Sequence, residues 1–329
     1  VRDQHAPAAD HPRAVSVRAE GALPPPFGLP QGIFEEKKHG GVMRLFLLTA
    51  LVMVAFAANS VLTRAGVGEE GLEVAAFGMI RVGSGALVLL VLGMATGRRV
   101  TFFSGRRGIS TLGLVLYVIG FTDAYLGMDS GLGALLLFGT VQVTMFAWAV
   151  MTREALPMVR VAGAVLAICG LIYLGYPWSS ISDDPRSVAM MVLAGLGWGV
   201  YSLAGRGSRD PLADTAANFL LASIVVPGLW LLVNGSVMSL GEVMQGGRGV
   251  WLAVASGAVT SGLGYALWYR ALPGLGASVA AVAQLTVPPI AALGGVLFLG
   301  EALSGKFVLA AAVILGGVAL SILGPKLLR

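Results

Sequence analysis

The sequence predicts an all-α integral membrane protein with ten transmembrane helices, arranged as two inverted five-helix repeats. Three observations carry this expectation. Hydrophobic residues make up 56% of the 329-residue chain and charged residues 12%, about half the charged share of a soluble domain. The apolar residues gather in ten blocks, each close to the roughly 20 residues that cross a bilayer. Two of the blocks carry one marker at an offset of 147. Glu154-Ala155-Leu156 is followed by Val161, Ala164 and Gly170, and Glu301-Ala302-Leu303 by Val308, Ala311 and Gly317.

Residues 1–42 are polar, contain Pro24-Pro25-Pro26 and show no helical or strand period, so they read as a disordered extension. No apolar core follows the first basic residues, which excludes a signal peptide there. The chain begins with Val1, yet Met43 stands directly before the first apolar block. The expectation is that the working protein starts at Met43. The first repeat then covers 43–176, with spans at 44–65, 73–95, 109–128, 131–151 and 158–176. The second covers 186–325, with spans at 187–205, 213–233, 250–270, 275–299 and 306–324.

Each block has its own signature. The first carries Ala55-Phe56-Ala57, which mimics a signal-peptidase site, but it exceeds the ~7–15 residues of a signal core and reads as a retained helix. The second holds Arg81 and the third ends near Asp123. The fourth holds Gln142, and the fifth holds Cys169, the one cysteine of the chain, which excludes an internal disulfide. The sixth carries Gly195-x-x-x-Gly199, a spacing that lets helices pack closely within one bundle. The seventh is plainly apolar. The eighth ends in the aromatic run Tyr265-Ala266-Leu267-Trp268-Tyr269, the ninth contains Gln284 and Pro288-Pro289, and the tenth is rich in glycine. A weaker internal match sets Phe56, Ser60 and Arg64 against Trp198, Ser202 and Arg206 at an offset of 142.

Basic residues in short loops give the orientation, because they favour the cytoplasmic side. With the N-terminus inside, fourteen lie inside: Lys37, Lys38, Arg44, Arg98, Arg99, Arg106, Arg107, Arg153, Arg160, Arg206, Arg209, Arg270, Lys326 and Arg329. Four lie outside: Arg64, Arg186, Arg248 and Lys306. Both termini therefore belong in the cytoplasm. Five spans per half is odd, so the second half enters the membrane from the opposite side.

Several residues carry two readings. Glu154 and Glu301 sit just before the next helix, where a carboxylate caps free N–H groups or serves a gate. Gln142, near the centre of span four, is either interhelical glue or a substrate contact. Arg81 must face the protein interior or water, because an arginine at the bilayer centre costs at least about 2.5–3.5 kcal/mol. It either ties to backbone carbonyls or Gln142, or holds a substrate carboxylate through its planar fork. Asp123 is a solvated interfacial acid or part of a proton relay. Asn59, Ser60, Tyr201, Trp198, Gln284 and Trp268 are candidate cavity-liners, with Trp268 equally suited to anchor at an interface. Pro288 either frees carbonyls at a transport site or kinks a packed helix.

Taken in order, the acid after the fourth and ninth spans, the glycine-rich span after each, Arg81, the aromatic end of span eight and Pro288 resemble the drug/metabolite transporter superfamily, in particular its EamA-like transporters. The resemblance covers about 44–324. It implies two five-helix halves and export of amino acids, metabolites or drugs, with no particular substrate. One departure stands out: Val141-Gln142 lies opposite Pro288-Pro289, so the first half lacks the mid-span proline.

Function classes narrow accordingly. The three histidines all precede residue 40, so the hydrophobic body has none for a triad, a zinc site or a proton relay. Gly300-x-x-x-x-Gly305-Lys306 mimics a phosphate loop, but Phe307 replaces the required Ser or Thr. No cofactor is implied, and the net charge of +5 reflects loop basicity rather than affinity for nucleic acid. The expected partners are a small-molecule solute and the lipid bilayer, with homodimerisation left open. A secondary transporter of the cytoplasmic (inner) membrane, working by alternating access, fits best. A membrane-embedded enzyme would need clustered acids, histidines or cysteines. A non-transporting scaffold would need no polar residue at the midplane.

Overall fold

The computed structural model describes residues 31–102, 105–153, 157–175, 184–206, 208–235, 241, 246–275, 280 and 283–327, and the regular structure among them is helical throughout. The chain divides into two units, Val1–Val42 and Met43–Arg329. The first is described only from Gln31 onward, as helix. Its preceding residues, with most of the expected disordered extension, lie outside the described ones. So does the marker Glu154.

Helix α1 (Gln31–Thr63) passes into a π-helical turn, Arg64–Glu69. Then follow α2 (Val74–Ala95), α3 (Arg107–Ala124), α4 (Ser130–Met151), α5 (Met158–Gly175), α6 (Pro185–Ala204) and α7 (Pro211–Asn234). The next rod is composite: α8 (Arg248–Val254), a π segment at Ala255–Leu263, and α9 (Gly264–Ala271). Helices α10 (Val287–Leu299) and α11 (Gly305–Leu327) complete the described chain.

Every expected block contains helix, and among the described residues seven stretches are long and apolar enough to cross a membrane. Met158–Tyr173 and Val287–Leu299 are apolar but shorter. The third block falls short because α3 is diluted by polar residues, among them the buried Ser110, Thr111, Thr122 and Asp123. In the ninth, α10 begins at Val287 with a proline in its first turn, where a missing N–H costs nothing.

Helix ends follow local chemistry. Glu73 accepts the Ala76 N–H at 2.9 Å and starts α2. Asp210 accepts the Ala213 N–H at 3.1 Å ahead of Pro211 and starts α7. Gly235, in the left-handed region at φ 69°, ends it.

Packing rests on small residues. Helices α3 and α6 cross with Gly113 on Gly197, where a methyl group on either would meet the other's carbonyl at 2.8 or 2.7 Å. Helices α5 and α11 cross in the same way, with a methyl group on Gly317 meeting the Gly163 carbonyl at 2.7 Å. Gly195 and Gly199 lie against Thr140 and Thr144 of α4, so this pair is a seam inside the bundle. Helix α2 packs on α7 and on the π segment, and α4 on α10. Phe77, Leu89, Leu114, Phe121 and Phe219 form the sealed core.

Candidate functional site

A narrow cavity of about 30 Å³ opens among α1, α3, α4, α6 and the composite rod. Residues three or four apart share a helix face, so α1 presents Phe56, Asn59 and Ser60, and α3 presents Tyr117 and Phe121. Leu137 and Phe138 of α4, Trp198 of α6, Thr260, Tyr265 and Gln284 complete the lining. In this conformation there is room for water rather than for a whole organic solute.

The polar part of the wall is one connected network. Asn59 Oδ1 accepts from Ser256 Oγ at 2.6 Å and Thr260 Oγ1 at 3.0 Å. Asn59 Nδ2 donates to the Tyr117 hydroxyl at 3.3 Å. Arg81 Nη2 donates to the same hydroxyl at 2.7 Å, and Arg81 Nε to Ser261 Oγ at 3.4 Å. Ser256, Thr260 and Ser261 all belong to the π segment. Ser256 and Thr260, four apart, would share a face of an α-helix too, and the wider i→i+5 turn brings Ser261 round to it.

Arg81 is 1% exposed. Its guanidinium carbon lies 5.0 Å from the Tyr117 ring centre and 4.9 Å from that of Phe121, a cation–π arrangement. It forms no ion pair among the described residues, and its Nη1 has no hydrogen-bond partner. The aromatic part of the wall is a stack: Trp198 lies 4.9 Å from Tyr117, 5.4 Å from Tyr265 and 5.3 Å from Tyr201. Phe56 meets Tyr265 edge-on at 5.7 Å and Trp268 at 6.1 Å. Neutral hydrogen-bonding groups, aromatic faces and one buried cation suit reversible binding of a small polar molecule. Among the described residues no group of three His, Cys, Asp or Glu could hold a metal.

The sequence-predicted residues are thus sorted by geometry. Asn59, Ser60, Trp198 and Gln284 line the cavity. Arg81 stands behind Tyr117 and Phe121. Tyr201 is buried beside Trp198 and turns its hydroxyl to Thr215 at 3.1 Å. Gln142 is half-buried, absent from the lining, and makes no hydrogen bond among the described residues. Pro288 is buried in the first turn of α10, also away from the lining. Trp268 packs on Phe56, one residue removed from the wall.

Two expectations are corrected. Glu301 does not cap the helix that follows it. Ser304 does, accepting the Phe307 N–H at 3.0 Å. Glu301 instead reaches across the bundle to the start of α4, where the Ser130 N–H donates to it at 2.9 Å and the Ser130 hydroxyl at 3.0 Å. Asp123 is not solvated: it is 6% exposed and pairs with Arg186 at 2.7 Å. At the opposite end, Arg107 is likewise buried and pairs with Asp214 at 2.6 Å, while Arg98 pairs with Asp210.

Sequence reasoning missed Tyr117, Phe121 and the hydroxyls of 256, 260 and 261. Tyr117 and Phe121, four apart near the middle of the third block, were a usable signal of one aromatic face. The full hydroxyl set was not: Ser256 and Thr260 share an α-helical face, but a period that assumes an α-helix leaves Ser261 off it.

Comparison with known proteins agrees with this geometry. Residues 185–323 match the model of the EamA-like transporter family. Uncharacterized protein PA1977 of Pseudomonas aeruginosa is 43% identical over 287 residues, covering 87% of this chain and 96% of that protein. Uncharacterized transporter YwfM of Bacillus subtilis is 28% identical over 54% of this chain and 59% of its own length. Threonine/homoserine exporter RhtA of Salmonella typhimurium is 28% identical over 55% of this chain, and the match spans 58% of that protein. One crystal structure superimposes with a TM-score of 0.59 at 21% identity, covering 86% of this chain and 98% of the other, which shows a shared fold. A multi-pass helical protein with a cavity walled by distant helices, the chain belongs to the EamA-like transporter family.

Proposed function

We propose that this protein is a secondary transporter that exports a small amino-acid-like solute across the cytoplasmic membrane by alternating access. The observation that carries the reading is a cavity walled by α1, α3 and α4 on one side and by α6 and the composite rod on the other. A buried guanidinium stands behind it. Walls drawn from both parts of the chain suit a site opened alternately by movement of one part against the other. The likeness to a threonine/homoserine exporter points toward a solute bearing a carboxylate and an amine.

In this reading ten crossings form two inverted halves with both termini inside. Helix α2 packs on α7, α4 on α10 and α5 on α11, each against the helix five crossings later, as two such halves would arrange them. Phe56 and Trp198, matched in the sequence, both reach the cavity. Reporter fusions after Arg107, Arg160 and Arg209 are expected to read cytoplasm, and those near Glu70, Asp183 and Gln245 the outside. Reversal at any two positions would sink the topology. Function is tested in proteoliposomes containing the full chain, preloaded with unlabelled L-threonine. Labelled L-threonine should accumulate by counterflow, and liposomes without the protein should show none. Failure to exceed that control rejects the amino-acid reading.

A further inference from the structure

We infer that Tyr117, rather than Arg81, is the residue that touches the solute, and that Arg81 and Asn59 position its hydroxyl proton toward a carboxylate. The inference rests on the amino-acid reading above. Its basis is the direction of each hydrogen bond. Arg81 can only donate, and it donates to the Tyr117 oxygen at 2.7 Å. Asn59 presents its Nδ2 to the same oxygen at 3.3 Å. The amide orientation follows from its other end, where the 2.6 Å separation from Ser256 Oγ is an O–H···O length, so Oδ1 faces the serine. Both partners of the Tyr117 oxygen are therefore donors. Its own proton has no acceptor among the described residues, and Tyr117 lines the cavity.

A second donor is also unspent nearby: the buried Arg81 Nη1. The free proton therefore sits on a phenol held against a buried cation that has no ion pair among the described residues, which suits a singly charged acceptor. A carboxylate meets that need with matching charge. The guanidinium, acting through the bond it donates, also polarises the phenol and strengthens it as a donor. Arg81 does not line the cavity itself, which makes it a positioning residue.

The test compares L-threonine with L-threonine amide, which lacks the carboxylate, by counterflow in proteoliposomes of the full chain. Tyr117→Phe keeps the ring packed on Trp198 and Phe121 and removes only the hydroxyl. Threonine counterflow should fall about tenfold or more, as for loss of a hydrogen bond to a charged group. Amide counterflow should change by less than about threefold. Arg81→Lys should narrow the same threonine-to-amide ratio, a readout that a purely structural role would leave unmoved. Replacing Tyr117 by 3-fluorotyrosine, nearly isosteric and a stronger donor, should lower the threonine KM by about twofold. That variant keeps the idea testable if Tyr117→Phe folds poorly. An equal loss of both solutes in Tyr117→Phe, or an unchanged or raised KM with 3-fluorotyrosine, overturns the inference and leaves the transport reading standing. No threonine counterflow by the unsubstituted chain overturns both.

Discussion

Helices α1 and α6 carry polar and aromatic residues at matched spacing, yet they build opposite halves of one wall. Phe56, Asn59, Ser60 and Arg64 correspond to Trp198, Tyr201, Ser202 and Arg206. On α1 the second position enters the polar network and the third lines the cavity. On α6 the first position supplies an aromatic face, and the second turns away to Thr215, which also donates to Tyr269 at 3.0 Å. The fourth positions diverge too. Arg64 binds the carbonyl oxygens of Tyr125 and Leu126 at 3.0 and 3.1 Å, whereas Arg206 is exposed and faces the sulfur of Met145 at 3.7 Å. Matched spacing therefore fixes where a side chain starts, and the facing helix decides what it does. Asn59 faces two hydroxyls of the π segment and one of α3, and Tyr201 faces the start of α7.

The largest effect should separate these two helices. Asn59→Leu leaves the Ser256 hydroxyl without its amide acceptor in a water-poor region, at roughly 1–3 kcal/mol, while Thr260 keeps the Ser256 carbonyl at 2.7 Å. Folded yield should drop several-fold and counterflow should vanish. Tyr201→Phe should keep both within about twofold, because Thr215 retains Tyr269. Size-exclusion yield and counterflow, measured together, check this. Equal damage from the two substitutions would abolish the comparison.

A smaller effect separates the two polar residues that looked alike in the first half. Arg81→Lys keeps charge but loses the planar fork, and threonine counterflow should fall about tenfold, with folded protein retained. Gln142→Leu should insert normally and leave specific activity unchanged, because Gln142 neither lines the cavity nor bonds to it. Loss of activity in Gln142→Leu would extend the polar wall to α4.

The smallest effect concerns the end of the bundle held by Glu301. Burial raises its carboxyl above the ordinary glutamate value, opposed by the donors of Ser130 and by Arg64. A raised value in the folded state means that ionisation costs the folded form more than the unfolded one. The stability it contributes is complete below the ordinary value and is lost as pH rises through the raised one. The melting temperature of the unsubstituted chain minus that of Glu301→Gln should therefore fall as pH rises from about 4 toward 7. A difference that widens with pH would mean that attraction to Arg64 and the α4 terminus outweighs burial.

What the sequence could and could not show follows from the range of each signal. Hydropathy placed helix in each expected block, because burial in lipid acts on each segment by itself, but it missed the helical stretch from Gln31 ahead of the first block. It also marked Arg81 and Asn59 as residues needing partners. The partners were invisible: Glu301 meets Ser130 across 171 positions of chain, and nothing local encodes that meeting. Gln142 and Gln284 were equivalent on paper, and only the rotation of their helices separates them. The short α10 was legible in Pro288, whereas the π segment was not, because Ser256 and Thr260 already suit an α-helix and only Ser261 departs from it.

That wide turn makes the composite rod unusually sensitive to length. Within a regular helix each residue advances the next by about 100°, and the π segment absorbs one residue more than an α-helix would. A chain shortened by one residue between Ala255 and Leu263 can close the same rod as plain α-helix with every backbone bond satisfied. It would still insert, still be apolar, and still reach the far side. Because the wide turn had taken up the extra residue, Tyr265 and Trp268 would keep their places in the aromatic stack, while Ser256, Thr260 and Ser261 would lose the spacing that sets them around Asn59 and Arg81. Here a single-codon deletion, invisible to any hydropathy profile, is expected to disable the polar side of the wall and leave the aromatic side standing.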